Sequence, residues 1–167
     1  DTTWIGAAHI NRGVVREIKG DYAGALAEGL EAMRWKELQG DSLSMARVLH
    51  NLSLVNWRRD SLDLAVAYLQ RSLAIKRVHD PYTVPTGLNG LGVLLNDAGR
   101  YDSAIVVLKE SLALCDSLTE GAEREMQLSN IGLAFERSGR LDSAAVYYME
   151  ALADARAHDN SEVIIRT

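Results

Sequence analysis

Apolar residues along this chain recur at helical intervals, and short polar breaks interrupt them at nearly constant distances. Leu88, Leu91 and Leu95 share one helical face, as do Ile131, Ala134 and Phe135. Ala104, Ile105, Leu108 and Leu112 repeat the pattern after an intervening Gly99-Arg100. The chain therefore predicts paired helices joined by tight turns at Gly20-Asp21, Asp60-Ser61, Gly99-Arg100 and Gly139-Arg140. Glycine in such a turn can take the left-handed conformation that ends a helix, and a nearby Asp or Ser can cap the next one. Further breaks at Gly40-Asp41, Asp80-Pro81 and Thr119-Glu120-Gly121 separate one pair from the next.

The pairs are copies of one unit. Gly13, Ser53, Gly92 and Gly132 are separated by 40, 39 and 40 positions. Ala25, Ala65, Ala104 and Ala144 keep the same intervals, and so do Met33, Leu73, Leu112 and Leu152. Three independent markers in one register define an internal repeat. The resulting expectation is an all-α fold, an α-solenoid of about four antiparallel helical hairpins stacked so that each buries the face its neighbour exposes. Residues 1–167 read as one domain, with repeats near 3–40, 41–80, 81–119 and 120–158. Gly92 and Ala104 read as facing positions where two helix backbones approach, and a larger side chain there would overpack at roughly 1–3 kcal/mol. After Ala157-His158-Asp159-Asn160, the run Val163-Ile164-Ile165 in 159–167 reads as the start of a capping helix or a further repeat. On that reading the chain is part of a longer protein.

Leu91-Gly92, Leu95, Gly99-Arg100-Tyr101, Ala104, Leu108 and Ser111-Leu112 resemble the tetratricopeptide repeat. So do Ile131-Gly132, Phe135, Gly139-Arg140, Ala144, Tyr148 and Ala151-Leu152. The resemblance covers nearly the whole chain, and the first two units depart from it. Arg12 stands for the usual leucine, Gly29 for a bulky residue, and Ser53 and Asp60 for two glycines. The spacing exceeds the usual repeat of about 34 residues. In that respect the chain is similar to the long-helix subclass found in kinesin light chains and bacterial peptide-pheromone receptors. The resemblance implies a right-handed superhelix that binds protein or peptide, and it implies no catalytic residues in the repeats.

Composition narrows the picture without changing it. A chain with 47% hydrophobic and 25% charged residues is of the soluble globular class. Its net charge of −5, with scattered Lys and Arg, argues against nucleic acid, which needs clustered cations. No apolar run approaches the ~18 residues of a membrane span, and no signal peptide is visible. The compartment is read as cytoplasmic, although the start at Asp1 leaves a removed targeting segment open. Cys115 reads as a small packing residue, and Trp4, Trp35 and Trp57 as packing or groove residues. His9, His50, His79 and His158 lack metal-ligand spacing, and Gly87 to Gly92 follows no strand, so neither a metal nor a nucleotide cofactor is expected.

First helices would line the concave surface. Two positions before the small residue, and roughly 160° around the helix from it at about 100° per residue, stand Asn11, Asn51, Gly90 and Asn130. Asparagine is a mediocre helix former, yet its amide offers a donor and an acceptor to an extended peptide backbone. Asn89 could substitute where Gly90 interrupts the ladder. The alternative is that these amides bond across neighbouring helices and hold the stack together. His50, Leu54 and Arg58, and further on Val93, Asp97, Ser129, Leu133 and Arg137, fall on the same side by this count. Arg47, Arg58 and Arg137 could meet acidic groups of a ligand. Three functions follow from this surface: a binding scaffold for protein or peptide, a regulatory sensor module of a larger bacterial signalling protein, or a non-catalytic domain of an enzyme. Self-association through the terminal repeats is also open.

Overall fold

The computed structural model describes residues 3–118 and 123–165, with side chains from 4 to 157 within these. Eight α-helices follow one another: α1 (Thr3–Ile18), α2 (Tyr22–Gln39), α3 (Ser42–Arg58), α4 (Leu62–His79), α5 (Val84–Asp97), α6 (Tyr101–Leu118), α7 (Arg124–Arg137) and α8 (Leu141–Ile165). A single 3-10 turn, Pro81–Thr83, stands before α5. The helices pack as consecutive antiparallel pairs, giving four hairpins. The expected break at Thr119-Glu120-Gly121 lies outside the described residues. Helix α8 runs on through Ala157–Asn160 to Ile165, so the backbone there continues the second helix of the last hairpin.

Each hairpin turn is built the same way. Gly20, Asp60, Gly99 and Gly139 all have positive φ, at 78°, 59°, 72° and 79°. The next residue then donates its N–H back across the helix end, as Asp21 does to Arg16, Ser61 to Asn56, Arg100 to Leu95 and Arg140 to Phe135. This pattern satisfies carbonyls that the terminating helix would otherwise leave bare. Asp60 therefore does the work of glycine in the second hairpin. Asp21 and Asp41 cap α2 and α3 by accepting from the N–H of Gly24 and Ser44, at 2.9 and 3.0 Å.

The chain divides into two units, Asp1–Val84 and Pro85–Thr167. In the first, Ile10, Ala32, Val48 and Leu52 form a buried cluster, flanked by Leu26, Met33 and Tyr68. A Cβ on Gly29 would lie 2.6 Å from Leu52 Cδ2, so the missing side chain on α2 is what lets α3 seat its leucine. Arg12, in place of leucine, reaches out to α2, where Glu28 accepts from its Nε at 3.1 Å. In the second unit, Leu128, Ile131, Ala134 and Phe135 of α7 are buried, as are Ala104, Leu108 and Cys115 of α6.

Two serines tie hairpins internally. Ser72 Oγ donates to the carbonyl of Ala46 at 2.7 Å, and Ser111 Oγ to that of Pro85 at 2.6 Å. A Cβ on Gly92 would strike the side chain of Leu108, so the bare glycine on α5 leaves room for this α6 leucine. Trp4 is exposed, whereas Trp35 and Trp57 are half-buried. Among the described residues no helix is long and apolar enough to cross a membrane.

Candidate functional site

In the first unit, α1, α3 and α4 border an open cavity of about 570 Å³ lined by Ile10, Asn11, Val14, Val15, Arg47, His50, Asn51 and Lys76. Three residues expected from the sequence, Asn11, Asn51 and His50, meet there, together with Arg47. Asn11 is exposed and Asn51 half-buried on their respective first helices. Among the described residues neither amide has a hydrogen-bond partner. The amides are thus available to a ligand's main chain, while Ile10, Val14 and Val15 supply apolar floor.

The electrostatics of this cavity are one-sided. Its lining holds two cations, Arg47 and Lys76, and no carboxylate. Burial, and then the neighbouring Lys76 ammonium, pushes the His50 imidazole below its ordinary range, which favours the neutral ring. His50 Nδ1 is buried without a hydrogen-bond partner. Leu54 and Arg58 do not line the cavity. Leu54 is half-buried, and the Arg58 guanidinium lies over the Trp57 ring at 5.4 Å.

The second unit treats its asparagines differently. Asn130 Nδ2 on α7 donates to Asn89 Oδ1 on α5 at 2.9 Å. Asn89 is only 6% exposed. Two turns along the same helices, Arg137 Nη1 donates to Asp97 Oδ1 at 2.8 Å. These residues are engaged with one another across adjacent first helices.

Lys76 is the residue that the sequence reading missed, because only first helices were counted as groove-forming. A signal was available. Lys36 and Lys76 stand 40 positions apart, in the register of the repeat markers, so both belong to one repeating position on the second helix. Lys36 is 5% exposed and its Nζ donates to Gln39 Oε1 and Asp41 Oδ2, at 3.0 and 3.1 Å.

The tetratricopeptide repeat family model matches residues 4–77 and 83–157, two hairpins in each span. The chain belongs to this family. Tetratricopeptide repeats mediate binding of proteins and peptides, and the expected family resemblance and all-α hairpin architecture hold. No curated protein matches the chain by sequence.

Among solved structures, this tetratricopeptide repeat chain is similar to BtubC (BKLC) from P. vanneervenii, with a TM-score of 0.86 and 20% identity, over 95% of this chain and 66% of that one. It is also similar to a kinesin light chain protein of nearly identical TPR-like repeats from Podosopora anserina (TM-score 0.79, 15% identity, 89% of this chain and 74% of that). A third is a Rap protein complexed with Competence and Sporulation Factor (TM-score 0.70, 18% identity, 90% of this chain and 43% of that). These likenesses are of fold. The chain spans just under two thirds of BtubC and less than half of the Rap protein.

Proposed function

We propose that this chain is a binding module for a protein or an extended peptide, and that its first unit carries the ligand contacts. The observation behind this reading is the contrast between the two units. Asn11 and Asn51 leave their amides unpaired beside one cavity, whereas Asn89 and Asn130 use theirs on each other. An unpaired amide can exchange both a donor and an acceptor with a peptide unit, each bond contributing roughly 0.5–1.5 kcal/mol. Asn89, Asn130 and Arg137, first considered as ligand contacts, are assigned here to holding α5 against α7. His50 remains a ligand contact, and Leu54 and Arg58 become flanking residues.

A sensor role within a larger bacterial signalling protein is the second reading. It draws support from the Rap protein, whose structure holds a factor and of which this chain would cover 43%. The exposed Leu141, Met149 and Leu152 of α8 favour packing of a further hairpin or a second copy on that helix. A cytoplasmic location belongs to the same proposal.

The test is capture from lysate of the source cells on the immobilised chain, beside an Asn11→Ala/Asn51→Ala version of equal helicity. A partner held by the parent and lost by the variant supports the first-unit site. Equal capture by both moves the binding surface elsewhere.

A further inference from the structure

We infer that the first-unit cavity recognises an acidic side chain of its peptide, with the Asp or Glu carboxylate held by Arg47 and Lys76. This rests on the peptide-binding reading above and adds the chemistry of the ligand. The repeat register carries the argument. Lys36 and Lys76 occupy one repeating position, but the groups around them differ. Lys36 meets Asp41, the residue that caps α3, at 3.1 Å. Forty positions after Asp41 stands Pro81, which has no carboxylate to offer. The adjacent Asp80 points its carboxylate to Thr83, accepting from Oγ1 at 3.0 Å. Lys76 has lost the counter-charge that its repeat-mate keeps, and it lines the cavity instead.

Arg47 brings a second cation to the same cavity, and among the described residues neither has an ion-pair partner. Two like charges facing a partly enclosed space repel, and a carboxylate between them relieves that repulsion while completing charge-assisted hydrogen bonds. The half-buried His50, with one ring nitrogen unpartnered, adds a further polar contact. Unpaired amides at Asn11 and Asn51 would hold the peptide's main chain on either side. The cavity also carries apolar residues that suit the aliphatic part of Asp or Glu. Nucleic acid fits poorly, since its recognition requires a track of cations along many phosphates.

The experiment is selection of random dodecapeptides displayed on phage against the immobilised chain, followed by binding of the selected peptides in solution. We expect the enriched peptides to share an Asp or Glu at one place, and its exchange for Asn or Gln to weaken binding roughly tenfold. Lys76→Gln and Arg47→Gln keep a polar, helix-compatible side chain while removing the charge, and they should erase the preference for acid over amide. Lys76→Glu should reverse it, favouring a peptide with Lys at that place. Asn11→Ala/Asn51→Ala should weaken acid and amide peptides alike. Peptides that need Asn11 and Asn51 yet show no acidic preference would overturn this inference and leave the binding module standing. An acidic preference unchanged by Arg47→Gln and Lys76→Gln would overturn it too. Failure to enrich any peptide would overturn both readings together.

Discussion

Asn130 donates a hydrogen bond to Asn89 at 2.9 Å, joining the first helices of the third and fourth hairpins at a point where Asn89 is buried. Removing the donor strands a buried carbonyl oxygen, whose lost solvation costs about 1–3 kcal/mol. Asn130→Ala should therefore lower the urea midpoint of the second unit. Asn11→Ala, at an exposed and unpaired amide, should stay within about 0.5 kcal/mol of the parent. Urea titration of both variants checks the contrast, and equal losses would mean that Asn11 has a structural role as well.

The helical glycines at one repeat position should respond oppositely to alanine. At Gly92 a Cβ would strike the fully buried Leu108, and overpacking of this kind costs roughly 1–3 kcal/mol. At Gly13 the nearest atoms are Glu28 Cβ at 3.5 Å and the Ala25 carbonyl oxygen at 3.6 Å, which is ordinary contact. Helix propensity then dominates, and Gly13→Ala should stabilise by up to about 1 kcal/mol. Thermal melts of the two variants should shift in opposite directions.

His50 should make stability depend on pH near neutrality. Its folded-state affinity for a proton is lowered by burial and then by Lys76, from an ordinary pKa of 6.5. The unfolded chain therefore binds more protons as pH falls through 6.5, and folding stability must fall with it. Above that pH the ring is neutral in both states and the effect vanishes. Arg47 lines the same cavity as Lys76, and no carboxylate there favours protonation. His50→Gln should flatten the dependence, as read from melting temperatures between about pH 5 and 8.

Asp41 governs the acid limb. Hydrogen bonds from Ser44, with a further contribution from Lys36, hold its carboxyl at about 2, below the ordinary 3.8. The stabilisation is complete above 3.8 and is lost as pH falls through about 2. Asp41→Asn should keep a cap but remove the charge that faces the buried Lys36 ammonium. Its melting temperature at neutral pH should drop and its acid limb should shift less, as circular dichroism can follow. An unchanged acid limb would assign acid unfolding to other carboxylates.

Much of this architecture could be read from the chain alone, because it is written in local chemistry. A helix stripe, a left-handed turn at Gly20 or Gly99 and a capping Asp21 or Asp41 each depend on residues within a few positions of one another. Repetition at 39–40 positions then multiplied a local signal into a hairpin count. Even Asp60, in a glycine position, was placed correctly because the turn around it repeats.

The site needed the folded molecule. Asn11, Asn51, Asn89 and Asn130 look alike in sequence, yet two are unpaired and two are joined to each other. Whether an amide meets a partner depends on side-chain reach between helices about 40 residues apart in the chain, which periodicity does not encode. Lys36 and Lys76 also share a repeat position, yet Lys36 meets the capping carboxylate of the next helix whereas Lys76 lines a cavity. The chain alone determined the helices and their register; three-dimensional packing decided which of the repeated polar groups were already satisfied.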